Sequence, residues 1–175
     1  MYKLITILFL TCGYTTFAQQ TIILNDSMPT VVNGISYGYT VTNERSKSIK
    51  GDEFDRFELT LFITNQSGSA KVIPLKTNLT GSVEFDNNIE IGNFNVSNAT
   101  GRRLTAKGAT INALPWFMNV KVSAQLTVDG KTNINAQIAN AIKDAETISK
   151  KITVILPKGE KPKVSCKTRL LVTLQ

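Results

Sequence analysis

Two short stretches hold residue types that could grip a ligand. Asn98-Ala-Thr-Gly101 reads as a turn, and it delivers Arg102 and Arg103 side by side. A planar guanidinium grips carboxylate or phosphate through two parallel N–H bonds, so the pair is a candidate anion site. Consecutive strand residues point to opposite faces, so both can serve one site only where the chain has not yet entered a strand. The bland reading is a solvated turn. The second stretch is Pro115-Trp-Phe-Met118, which holds the only Trp. Exposed rings make stacking platforms for sugars, whereas buried rings fill a core. Trp116 and Phe117 are therefore candidate binding residues, with Tyr37 or Tyr39 as a further ring.

Carboxylates gather at Asp52, Glu53 and Asp55, and again at Asp86 and Glu90. Oxygen ligands so close together suit a hard cation. Lys50 and Arg56 flank the first group, however, and the D-x-D-x-D-G spacing of a dedicated calcium loop is missing, so no metal site is expected. Paired carboxylates can also hydrolyse a glycosidic bond, but only if two of them face one cleft.

Cations crowd the C-terminal fifth at Lys150, Lys151, Lys158, Lys161, Lys163, Lys167 and Arg169, within a net charge of +7. Such a face suits lipopolysaccharide, an acidic glycan or an acidic partner. No base-stacking motif accompanies it, and nucleic acid is not expected.

Histidine is absent. That removes Ser-His-Asp and Cys-His catalysis, His general bases and His-ligated zinc. With cysteines at 12 and 166 alone, a cysteine-rich zinc or iron–sulfur site is excluded as well. No catalytic residue and no cofactor is expected.

The N-terminus has the grammar of a secretory signal peptide. Lys3 precedes the apolar run Leu4–Leu10, and small and polar residues follow. Cleavage after Ala18, with Thr16 two places further back, fits the small-residue rule. Lipidation at Cys12 is the weaker alternative, because Thr11 and Phe9 occupy places that a lipoprotein signal gives to a small and a branched apolar residue. Residues 1–18 are thus expected to be a signal peptide and 19–175 a single domain. Its destination is the periplasm or beyond, with no transmembrane span in the mature chain. Cys166 is then the sole mature cysteine, and no internal disulfide can form.

Period-2 alternation dominates the remainder. Phe57, Leu59, Leu61 and Ile63 fall on one face of a strand, and Glu58, Thr60 and Thr64 on the other, with Phe62 as an exception. Further strands are expected over 34–43, 80–85, 89–96, 103–114, 120–128, 131–138, 148–156 and 164–174. Turns at 65–69 and 86–88 and the pair Asp129-Gly130 predict hairpins. Over 139–151, a turn at 143–146 competes with a short helix, since Ile142, Ala145, Ile148 and Ile152 have helical spacing. A break is expected at Pro115. Five Asn-x-Ser/Thr sequons, at Asn25, Asn65, Asn78, Asn95 and Asn98, read as turn-forming asparagines.

Short strands at regular spacing without intervening helices predict an all-β, antiparallel sandwich rather than an outer-membrane barrel. "FELTLFITNQSGSAKVIPL" resembles paired strands of immunoglobulin-like domains, and "ITVILPKGEKPKVSCKTRLLVTL" resembles their closing hairpin. The blocks "KGDEFDRFELTLFITNQSG", "FNVSNATGRRLTAKGATINALPWF" and "LPKGEKP" together resemble small secreted proteins of Gram-negative bacteria to which no activity is assigned. That resemblance implies export and a β fold. The resulting expectation is an exported, non-catalytic module of the cell envelope that binds an envelope glycan or another envelope protein. The alternatives are a carbohydrate hydrolase using paired carboxylates and a fimbrial or assembly subunit using strand addition.

Overall fold

The computed structural model describes residues 20–72, 89–104, 109–126, 130–169 and 171–173, with 115–126, 130–140 and 172–173 described as backbone. The signal segment with Cys12, the strand expected over 80–85 and the turn at 86–88 lie outside the described residues. So do residues 127–129 of the expected Asp129-Gly130 turn.

The described chain is all β, and its sheets are antiparallel. Twelve strands run in order: β1 (Thr21–Leu24), β2 (Thr30–Val32), β3 (Ile35–Ile49), β4 (Asp52–Asn65), β5 (Lys71–Val72), β6 (Glu90–Ser97), β7 (Ala109–Asn112), β8 (Leu114–Leu126), β9 (Gly130–Ile142), β10 (Thr147–Pro157), β11 (Lys163–Thr168) and β12 (Val172–Thr173). They form three sheets, ordered β1-β11-β6-β7, β10-β4-β3-β2 and β12-β5-β9-β8.

The first two sheets pack face to face. Ile22 and Leu24, Val164 and Cys166, and Phe94 and Val96 point inward from the first. Tyr37 and Tyr39, Phe57 to Ile63 in alternate positions, and Val154 and Leu156 meet them from the second. Each such side chain taken fully out of water contributes about 1.5–3 kcal/mol. Gly92 on β6 marks a close approach of the layers, since a Cβ there would stand 2.6 Å from Ile63 Cδ1. At one edge, Lys150 Nζ on β10 donates to Thr110 O on β7 at 3.3 Å. Ile142, at the end of β9, joins the same core and ties the third sheet to the sandwich.

Three expected connections are corrected by the pairing. β4 does not form a hairpin with β5. Its partners are β3 and β10, while β5 pairs with β9 and β12. β9 and β10 are joined by the expected turn over 143–146, with no helix, but they too belong to different sheets. β10 and β11, read as a closing hairpin, lie in opposite layers. Alternation tells which residues face inward, but not which layer receives the next strand. A sandwich repeatedly hands its chain from one layer to the other.

The side chain of Asn65 shows how one hand-over is fixed. It is fully buried. Its amide Nδ2 donates toward Ser69 O at 2.7 Å and toward Ile142 O and Lys143 O, each at 3.1 Å. Its Oδ1 accepts from Ser67 N at 3.1 Å and Ser67 Oγ at 2.7 Å. One side chain thereby closes the 65–69 turn and anchors the end of β9. A buried, fully engaged amide offers no group for glycosylation, so the Asn65 sequon is a structural turn.

The break expected at Pro115 is not where the strand deforms. β8 runs continuously from Leu114 to Leu126, and its register shifts between Phe117 and Val120 instead. Among the described strands β8 is the edge of its sheet, where the missing N–H of proline is tolerated. Among the described residues no helix is long and apolar enough to cross a membrane.

Candidate functional site

One irregularity in β3 organises a concave part of the described surface. From Ile35 to Val41 the odd-numbered residues face the core. Between Val41 and Asn43 the pairing with β4 slips by one residue, a β-bulge at Thr42. The Thr42 hydroxyl donates to Glu58 O at 3.0 Å across it. Because side chains alternate with a period of two, one extra residue inverts the faces beyond it. Glu44 and Ser46 consequently fall opposite Phe57 and Asp55, on the inward row, while Arg45 and Lys47 fall on the outer row.

The inverted row meets the loop that joins β10 to β11. Lys161 Nζ stands 2.7 Å from both carboxylate oxygens of Glu44 and 5.2 Å from the centroid of the Phe57 ring. Between this contact and the β1–β2 connection lies a groove of about 590 Å³. Asp26, Tyr39, Val41, Thr42, Asn43 and Lys161 line it. Asp26 Oδ1 accepts from Val41 N at 3.0 Å and from Ser27 Oγ at 3.1 Å. Tyr39 is 5% exposed, and burial, then the nearby Asp26 carboxylate, hold its phenol above the ordinary value, so it stays neutral. The groove thus offers hydroxyl and carboxylate groups beside apolar side chains. Bulges are over-represented beside binding sites because they re-aim side chains in this way.

Below the groove the same loop is held to the β3–β4 arm. Gly159 adopts a positive φ of 83° in the turn closed by Glu160 N to Pro157 O at 3.1 Å. That geometry favours glycine at the third place of a turn. Asp55 Oδ2 accepts from Gly159 N at 2.7 Å, and its Oδ1 accepts from Ser46 Oγ at 2.8 Å. Lys158 pairs with Glu53 at 2.6 Å. Glu53 and Asp55 of the acidic cluster therefore work as loop anchors. Among the described residues no group of three or more His, Cys, Asp or Glu is placed to hold a metal.

The sequence-derived candidates fall elsewhere. Arg102 and Arg103 are exposed on the loop after β6. Asn98 builds that loop: its Oδ1 accepts from Arg102 N at 2.7 Å and Thr100 Oγ1 at 2.8 Å, and Gly101 takes a positive φ of 86°. Arg103 bridges back to Ser97. Among the described residues neither guanidinium has a polar partner. Trp116 and Phe117 occupy β8 of the third sheet, opposite Ala139 and Ile138, and their side chains lie outside the description. The two pairs thus stem from different sheets. Tyr37, the other ring candidate, is 1% exposed and belongs to the core.

The C-terminal cations do not form one face. Lys158 and Lys161 are ion-paired, and Lys150 and Lys163 donate to backbone carbonyls of Thr110 and Ala99. Sequence reasoning passed over Asp26, Thr42, Asn43 and Glu44. Their only trace is local: after Val41, the adjacent polar pair Thr42-Asn43 breaks the alternation.

Fold and groove define an antiparallel β-sandwich with a bulge-lined polar cleft at one end. Comparison of the chain with protein-family models, with curated proteins and with solved structures gives no match.

Proposed function

We propose that the chain is an exported, non-catalytic binding module of the cell envelope, and that the groove beside the Thr42 bulge takes a polar, sugar-like ligand. The observation that carries this reading is the state of the two groove carboxylates. Asp26 is engaged by Val41 N and Ser27, and both oxygens of Glu44 face Lys161. Groups so engaged orient hydroxyls well, but hydrolysis asks for one carboxyl free to protonate a leaving group and a second aimed at the sugar carbon. The immunoglobulin-like likeness belongs to this proposal, supported by the way successive strands change layers. So does export, which rests on the Lys3 to Ala18 segment.

The test is a glycan array probed with the purified protein, beside glycosidase assays on the same sugars. A sugar bound without turnover, and bound at least about tenfold more weakly by Asp26→Asn, supports the reading. Turnover abolished by Glu44→Gln would replace it with the hydrolase. Strand addition is the second alternative, favoured by one observation. β1 pairs only with β11 among the described strands, and Ile23 at its middle is 80% exposed. A concentration-dependent polymer blocked by Ile23→Lys would support it.

A further inference from the structure

The inversion at Thr42 also shapes the opposite side of the second sheet. On that outer face Arg45 stands directly opposite Arg56, and Ile155 of β10 lies on the far side of Arg56. The next row holds Lys47, Phe54 and Pro157. In the other direction come Asn43, Glu58 and Thr153, followed by Thr60 and Lys151. Like charges directly opposite on neighbouring strands destabilise a sheet. One of the two arginines is compensated, since Arg56 pairs with Glu58 at 3.3 Å. Among the described residues Arg45, Lys47 and Lys151 have no polar partner. Asp52, opposite Ile49 at the hairpin tip, is the other acid of this face.

The contrast with the loop end is informative. There Lys158 and Lys161 each meet a carboxylate within 2.7 Å. At the loop end both cations are neutralised, whereas on this face Arg56 alone is paired, and Arg45, Lys47 and Lys151 exceed the acids beside them. Arg45, Lys47, Arg56 and Lys151 are all exposed, and the charges follow the strand direction at roughly 7 Å for every two residues. Phe54, half-buried between Lys47 and Pro157, supplies an apolar step in the row.

We infer that the outer face of β3, β4 and β10, centred on the Arg45–Arg56 pair, binds a linear acidic polysaccharide lying along the strands. The warrant is charge complementarity: an extended patch in which Arg45, Lys47 and Lys151 are unpaired beside the Arg56–Glu58 pair fits a polymer that repeats carboxylates along its length, and Arg forks grip carboxylates two-point. A lipid surface fits less well, because anchoring there needs a cluster of inserted apolar side chains, and the exposed Ile49 and Ile155 of this face stand two rows apart with Lys47 and Phe54 between them. Duplex DNA offers phosphates that the same forks grip, and the DNA arm of the experiment separates it from a polycarboxylate. This site is separate from the groove, so the two readings stand or fall apart.

The experiment is retention and calorimetry of the purified protein on polygalacturonate, with neutral dextran, phosphatidylglycerol vesicles and duplex DNA as parallel probes. The expected result is binding to polygalacturonate that weakens with salt and is absent on dextran. Arg45→Gln and Lys47→Gln should each weaken it by about threefold to tenfold. The Arg45→Gln protein should melt at or above the temperature of the parent, because a like-charge pair has been removed. Asp26→Asn, in the groove, should leave polygalacturonate binding unchanged. No binding at low salt, binding indifferent to Arg45 and Lys47, or equal affinity for vesicles or DNA would overturn the inference. A groove sugar bound normally beside such a failure would leave the groove reading intact.

Discussion

Gly38 of β3 lies beneath the ring of Phe62, its direct partner on β4. A Cβ built on Gly38 would run into that ring closer than side chains approach one another. Gly38 is buried although it sits on the outer row, because Phe62 covers it. An aromatic laid across a strand glycine replaces the packing the glycine lacks. Gly38→Ala should therefore cost about 1–3 kcal/mol by forcing the ring aside. Phe62→Leu should cost less, and the double variant should be more stable than the sum of the two single losses, since the smaller side chain makes room. Urea unfolding of the four proteins measures this cycle, and strict additivity would show that the two residues are not coupled.

Asn65 should be the most sensitive polar position in the described core. Removing its amide takes a donor from the carbonyls of Ser69, Ile142 and Lys143, of which Ser69 O keeps Ser67 Oγ and Lys143 O keeps Glu146 N, and it takes the acceptor from the Ser67 N–H. Each orphaned buried group costs about 1–3 kcal/mol where water cannot replace the partner. Asn65→Ala should lose about 3–4 kcal/mol, allowing for partial relaxation. Asn65→Asp should lose at least as much at neutral pH, because its oxygens would face three carbonyl oxygens. A melting temperature within a few degrees of the parent for either variant would refute the anchoring role.

The inward rows were readable from the sequence because alternation is a direct consequence of strand geometry. Phe57, Leu59, Leu61 and Ile63 are all buried, and Phe62, the apparent violation, is explained by Gly38. The turn at 143–146 was readable too. Two hairpins were passed over although their turns are written plainly. Asn33-Gly34 joins β2 to β3 and Lys50-Gly51 joins β3 to β4, each with both central residues at positive φ. Layer assignment was not readable, since it depends on long-range pairing such as that of β10 with β4. The groove was hidden for the same reason. Its walls are drawn from residues 26, 39, 41–44 and 161, and the bulge that assembles them leaves only a stutter at Thr42-Asn43.

Cys166 reports on the opening of the sandwich. Its thiol is fully buried between the layers, 3.3 Å from the position a Cβ on Gly92 would take. Burial pushes its pKa up from 9.0 to about 12. The folded state therefore holds the proton more tightly than the unfolded one. The associated stability is complete below pH 9 and is lost as pH rises from 9 toward 12. Alkaline titration should destabilise the parent over that window, and Cys166→Ala should flatten the dependence while adding a small cavity cost of about 1 kcal/mol. A thiol reagent should label Cys166 only at the rate of unfolding. Fast labelling of the native protein would contradict the packing described.

Asp55 sets the opposite, acidic limit. The Gly159 N–H, then the Ser46 hydroxyl, hold its carboxyl below the ordinary aspartate value of 3.8, with Lys158 and Lys161 adding to the effect. A depressed pKa means that the unfolded chain takes up the proton first as pH falls. The stability contributed by Asp55 is thus present above pH 3.8 and drains away below it, as the folded carboxylate is finally protonated. Asp55→Asn should be less stable than the parent at neutral pH, because the amide can present only one oxygen to two donors. The difference should shrink as both proteins are brought toward pH 2 to 3. The 157–162 loop should loosen first in the variant, exposing Lys158 and Gly159 to proteolysis. Parallel acid-unfolding curves with an unchanged gap between parent and variant would show that the Asp55 carboxylate does not hold the loop.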